Sequence, residues 1–104
     1  PDKALKHYKK AILLDDYQLA YQNLGPVCLK LNKTIEGIEA LNRGGQIYPD
    51  DPEIAYWHGI LLVESGNISK AENIFILLEK GHSSYKETRN ILKEIQNIRD
   101  SMDE

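Results

Sequence analysis

The residue types best suited to catalysis or metal binding are few in this chain, and they lie far apart. There are three histidines, His7, His58 and His82, and one cysteine, Cys28. No histidine lies four residues from another metal-binding residue, the spacing that places two ligands on one face of a helix. We therefore predict no catalytic site, no metal site and no cofactor, and we expect that the protein is not an enzyme.

Two aspartate pairs, Asp15-Asp16 and Asp50-Asp51, are the remaining candidates for cation binding. A calcium loop needs alternating acidic residues and a distant glutamate, and neither pair has them. Aspartate is also a preferred residue at the start of a helix, where it accepts hydrogen bonds from free backbone N–H groups. We interpret both pairs as helix boundaries, with Asp51 as an N-cap and Pro52 in the first turn of the next helix.

The charge and the apolar content of the chain limit the classes of partner that we expect. The formal net charge is −3, with acidic and basic residues interleaved. Because there is no basic stripe, we expect neither nucleic acid nor an anionic membrane as a partner. The longest apolar runs, such as residues 74–78, are too short to span a bilayer, so no membrane insertion is expected. A lone cysteine fits a reducing compartment, and we predict a cytoplasmic location. Since the sequence starts at Pro1 and its only methionine is Met102, we expect a piece of a longer protein.

Apolar residues at three- and four-residue steps predict helices throughout, and no strand pattern competes. Thr34 is the expected N-cap of the third helix. Pro26 lies inside the second helix, where it costs about 3 kcal/mol and predicts a kink. The connections are short, so consecutive helices should form antiparallel hairpins. The predicted helices span residues 2–14, 18–31, 34–47, 52–64, 69–80 and 84–101.

The chain also repeats itself at a fixed distance. The Leu-Gly pair at 24–25 recurs as His-Gly at 58–59, and the pattern of residues 37–41 recurs at 71–75, each time 34 residues later. Fixed-period similarity of this length indicates stacked helical repeats. Gly25 and Gly59, the small residues of the two pairs, let two helices approach closely. Gly37 and Ala71, which begin the segments 37–41 and 71–75, each accommodate a large neighbouring side chain.

With this period, the chain resembles the tetratricopeptide repeat family over about residues 2–83. One unit supplies Tyr21, Leu24, Gly25, Cys28, Gly37, Leu41, Gly44 and Pro49, and the next supplies Ala55, His58, Gly59, Leu62, Gly66, Ala71, Phe75 and Leu78. Leu78 and Ser83 depart from the family pattern, as does Pro26 in mid-helix. His58 and Cys28 fall at packing positions, so we interpret them as packed side chains.

The resemblance implies an all-α fold, a right-handed superhelical stack of antiparallel helix pairs (an α-solenoid) with about six helices. It divides a single domain, 1–104, into the second helix of a partial repeat (2–17), two repeats (18–51 and 52–83) and a C-terminal capping helix (84–101). The charged outer face of the last helix fits a cap. Its 3-4-3 apolar spacing also allows a coiled-coil seam, but two heptads are too few to favour that alternative.

In this family the first helices of successive units line a concave groove. By resemblance, the groove residues here are Leu19, Gln22, Asn23, Pro26, Leu29, Tyr56, Trp57, Ile60 and Val63. Tyr56 and Trp57 are the expected anchors, since large aromatic side chains dominate binding energy. Packing between units is the alternative for Trp57. The groove lacks the positive clamp with which some members of the family hold a chaperone's terminal carboxylate.

The function predicted from these observations is non-catalytic binding of a peptide segment or partner protein in the groove. One alternative is self-assembly, for example as a homodimer through the N-terminal helix, whose apolar face lacks its own partner helix. Another is a regulatory role within a larger enzyme.

Overall fold

The computed structural model describes residues 3–7 and 18–102 of the chain. Within these ranges every regular element is a helix, as predicted, and none is a strand. Residues 3–7 are helical. The helices that follow are α1 (Gln18–Lys30), α2 (Thr34–Ile47), α3 (Pro52–Glu64), α4 (Ile68–Gly81) and α5 (Thr88–Met102). The predicted boundaries of α2 and α3 are confirmed, and those of α1 and α4 are within one residue. Most of the helix predicted for 2–14 lies outside the described residues.

The start of the last helix was predicted wrongly. The expected start was residue 84, but α5 begins at Thr88. Ser84 has φ 60° and Lys86 has φ 47°, both in the left-handed region, so residues 82–87 form an irregular connector and cannot extend the helix. Turn hydrogen bonds from Tyr85 N to His82 O and from Thr88 N to Tyr85 O shape this connector.

One of the two N-cap predictions is confirmed. Asp51 is the N-cap of α3, with Pro52 in the first turn. In the turn after α3, Gly66 has φ +84°, a left-handed conformation that glycine adopts without steric cost. The prediction for Thr34 is wrong, because Thr34 is already helical and Lys33 takes the N-cap position without a side-chain hydrogen bond. Pro26 lies inside α1 as expected.

Each helix from α1 to α4 packs against its successor, and α1 also packs against α3. The buried apolar residues form two clusters. The first comprises Leu5, Ala20, Tyr21, Leu24, Cys28, Leu41, Ile54 and Leu61. The second comprises Tyr56, Leu62, Ala71, Phe75, Leu78 and Ile95. Ile38 and Trp57 pack against both clusters and join them into one core.

The close approach of α1 to α3 depends on Gly25. A Cβ atom at Gly25 would lie 2.4 Å from Trp57 Cβ and 2.6 Å from Trp57 Cγ. Gly59 plays the same part on α3, where an added Cβ would lie 2.6 Å from Phe75 Cζ. Both glycines were predicted to allow such contacts. The expected burial of Cys28 is also confirmed.

Candidate binding cleft

A cleft of about 620 Å³ opens between α1 and the start of α3. Four residues of α1 line it: Gln18, Gln22, Asn23 and Pro26. The connection between α2 and α3 contributes Tyr48, Asp50 and Asp51, the first turn of α3 contributes Pro52 and Glu53, and the connector 82–87 contributes Tyr85. The structure therefore brings the predicted residues Gln22, Asn23 and Pro26 together along one wall.

The other predicted groove residues are placed differently. Leu19 is exposed, and Leu29, Ile60 and Val63 are half-buried against the core clusters. Tyr56 is only 7% exposed and belongs to the second cluster. Its ring meets those of Phe75 at 6.0 Å and Tyr85 at 5.9 Å between centroids, so little of Tyr56 is available as an anchor.

Trp57 packs against the core, the alternative considered for it, and it is not one of the residues that line the cleft. Its ring is half-buried and packs between the two clusters, against Gly25 of α1. Its indole N–H, however, points to a polar partner, because Trp57 Nε1 donates to Glu53 Oε1 at 2.6 Å. Trp57 thus connects the core to the polar surface beside the cleft.

Asp51 organises the floor of the cleft. Its Oδ1 accepts hydrogen bonds from the backbone N–H groups of Glu53 (2.9 Å) and Ile54 (3.1 Å), which caps α3. Its Oδ2 accepts from Nε2 of both Gln18 and Gln22, each at 2.6 Å. Burial alone would raise the pKa of Asp51, but these four hydrogen bonds stabilise the ionised form and hold the pKa below its usual value.

Glu53, two residues after Asp51, accepts a second group of hydrogen bonds. Its Oε1 accepts from Trp57 and from Lys86 Nζ at 2.6 Å, and its Oε2 accepts from the Tyr85 hydroxyl. Burial opposes ionisation, but the donors outweigh it and lower the pKa of Glu53. Burial, together with the hydrogen bond to Glu53, raises the pKa of Tyr85 well above its usual range, so this hydroxyl remains a donor.

The Lys86 ammonium is surrounded by aromatic rings as well as by this carboxylate. Its Nζ lies over the rings of Tyr56, Trp57 and Tyr85, at 5.5, 5.7 and 5.7 Å from their centroids. These are cation–π distances. We call the space bounded by Glu53, Tyr56, Trp57 and Tyr85 the aromatic recess.

The structure adds Gln18, Tyr85 and Lys86, which sequence reasoning missed. Gln18 lies one helical turn before the predicted residue Gln22, so the sequence places both on one face of the helix, but their common acceptor Asp51 lies 33 and 29 residues further along. Tyr85 and Lys86 were assigned to a helix. No local pattern shows that they belong to a connector that reaches back to α3.

The charged side chains that line the cleft are acidic. Three carboxylates line the cleft, those of Asp50, Asp51 and Glu53, and none of the described lining residues is lysine or arginine. The lining thus carries acidic side chains, and the charge of Glu53 is paired with that of Lys86. No group of three or more His, Cys, Asp or Glu side chains in the described ranges is placed to hold a metal ion. Within residues 3–7 and 18–102, no helix has the length and apolar character needed to cross a bilayer.

Asp51→Ala is expected to lower the free energy of unfolding by about 2 kcal/mol at neutral pH, because α3 loses its cap and two amides lose their acceptor. Since folding lowers the pKa of Asp51, its stabilisation is present above the unfolded-state pKa and is lost as the pH falls through the folded-state pKa. Urea unfolding between about pH 7 and about pH 3 should therefore show the difference between variant and wild type shrinking with acid. Asp50→Ala, at the neighbouring exposed aspartate, is the control and should change stability little. Equal effects of the two variants would contradict the capping role.

Comparison with models of known protein families finds no match for this chain, and comparison with curated proteins finds none either.

Proposed function

We propose that the chain is a non-catalytic binding module of tetratricopeptide type, which holds a segment of another protein in the cleft. The repeats would be residues 18–51 and 52–83, stacked as a right-handed solenoid and closed by α5. The 34-residue period and the packing of α1 on both α2 and α3 support this arrangement. So does an elongated shape, with principal extents of 47, 27 and 19 Å.

The observation that carries the proposal is the cleft itself. First helices of two successive units, α1 and α3, line one continuous depression with polar and apolar groups. Gln22 is committed to Asp51, so Asn23 and Pro26 are the residues of α1 that we expect to contact a bound segment. The compact Pro26 ring, exposed on α1, provides an apolar surface without a competing side-chain hydrogen bond.

Asn23→Tyr tests this proposal, because the larger side chain would fill the cleft. Peptides are first selected for binding to the wild-type chain from a displayed random library. We expect their affinity for Asn23→Tyr to fall at least about tenfold, a loss of about 1.4 kcal/mol. The control is Asn73→Tyr, an exposed position on α4. Circular dichroism establishes that both variants are folded. Equal affinity for all three proteins, or no selected peptides at all, would overturn the proposal.

The alternative of self-assembly through the N-terminal helix stays a prediction, since residues 8–17 lie outside the described ranges. Leu5, however, is buried in the first cluster. Leu5→Asp would therefore disrupt the core, and it cannot separate assembly from folding. The regulatory role within a larger enzyme and the cytoplasmic location also stay predictions.

A further inference from the structure

We propose that the aromatic recess is a binding site for a lysine side chain of the partner segment, and that Lys86 occupies it when no partner is bound. This inference rests on the proposed function of the cleft and specifies the chemistry of its ligand. In the free protein, the Lys86 side chain makes the contacts that the partner's lysine would make.

The recess has the chemistry of an organic-cation site. Three aromatic faces lie within about 6 Å of one ammonium position, the range in which the ring quadrupole attracts a cation. The Glu53 carboxylate supplies a direct charge-assisted hydrogen bond at 2.6 Å. Glu53 is itself fixed by the Trp57 indole and the Tyr85 hydroxyl. A carboxylate held in place among three rings is preorganised for a positively charged group.

The recess is continuous with the cleft. Glu53 and Tyr85 belong to both, so a segment lying along α1 would pass the mouth of the recess. The acidic lining contributed by Asp50 and Asp51 favours a segment that carries positive charge. A lysine of that segment has the same ammonium group, on the same flexible stem, as the present occupant.

Lys86 is held in a way that permits exchange. Its side chain is 43% exposed, and an ion pair at that exposure contributes little to stability. Its backbone has φ 47°, and Ser84 in the same connector has φ 60°, conformations that non-glycine residues adopt at a cost. An incoming ammonium could make the same contacts in the recess, and the Lys86 side chain would then be displaced into solvent.

Trp57 provides the readout, since it is the only tryptophan of the chain and forms one wall of the recess. The probe is an eight-residue peptide of alternating lysine and alanine, titrated while Trp57 fluorescence is followed. Lys86→Ala empties the recess and is expected to bind this peptide at least about fivefold more tightly than the wild type. Lys93→Ala removes an exposed lysine from α5 and is the matched control for net charge. The same peptide with acetylated lysines should not bind any of the three proteins.

Equal affinity of Lys86→Ala and Lys93→Ala for the peptide would overturn the inference, and so would a titration of Lys86→Ala in which Trp57 fluorescence does not change. A second probe, n-butylammonium, represents the lysine side chain alone. It should shift the Trp57 indole N–H resonance in Lys86→Ala, and this response should disappear when Glu53→Gln is added. No shift would overturn the inference.

The two proposals fail in different ways. If library-selected peptides require Asn23 but neither probe responds to Lys86→Ala, the cleft function stands and the role of the recess is wrong. If n-butylammonium enters the recess but no peptide depends on Asn23, the cleft function is wrong, and with it the assignment of the recess to a partner's lysine.

Discussion

Phe75→Ala is expected to lower the free energy of unfolding by about 4 kcal/mol, more than Gly25→Ala or Asp51→Ala. Phe75 is fully buried on α4. Its ring fills the space above Gly59 and meets the Tyr56 ring at a centroid distance of 6.0 Å. Truncation would leave a cavity between α3 and α4, and the neighbouring glycine has no side chain with which to fill it.

Urea denaturation followed by circular dichroism measures this loss. Ile76→Ala is the matched control, because Ile76 is the next residue of α4 but is 40% exposed. We expect the control to cost about 1 kcal/mol or less. If Phe75→Ala and Ile76→Ala were equally destabilising, the packing of α3 on α4 would differ from that described.

Gly25→Ala is expected to destabilise the chain by about 3 kcal/mol, even though alanine is the better helix former. The new methyl group would overlap Trp57 Cβ, an atom fixed to the backbone of α3, so relief requires α1 and α3 to move apart. Such a shift would also displace Trp57 from Glu53. The free energy of unfolding and the Trp57 fluorescence spectrum should therefore change together.

Gly45→Ala is the control for Gly25→Ala. Gly45 is also helical, but a Cβ atom there would meet nothing within 4 Å. This variant should gain up to about 1 kcal/mol from the higher helix propensity of alanine. Destabilisation by both variants would show that the close approach at Gly25 is not the cause.

The positions of most helices were predictable because their determinants are local. The apolar spacing defines α2 and α3, and Asp51-Pro52 marks the start of α3 by capping chemistry alone. The period of 34 residues also identified Gly25 and Gly59 as close contacts between helices. For the helix boundaries, residues close in sequence are sufficient, and for the two glycines the comparison of positions 34 residues apart is sufficient.

The aromatic recess was not predictable for the opposite reason. Residues 84–87 have no helix breaker, and the left-handed conformation of Lys86 is associated with contacts to Glu53, 33 residues earlier. Tertiary interactions here override local preference. The same connector explains the burial of Tyr56, since Tyr85 packs on its ring. The repeat pattern assigned Tyr56 to the groove, whereas the α3 residues that line the cleft are Pro52 and Glu53.

The indole of Trp57 touches both core clusters, and this has a consequence for cooperativity. Stacked repeats unfold one by one when the interface between them is weak and together when it is strong. Trp57 packs on Gly25 and against both clusters, so helices α1 to α4 should melt in one transition. Any ligand that restrains Trp57 would then raise the melting temperature of all these helices, including those that it never contacts.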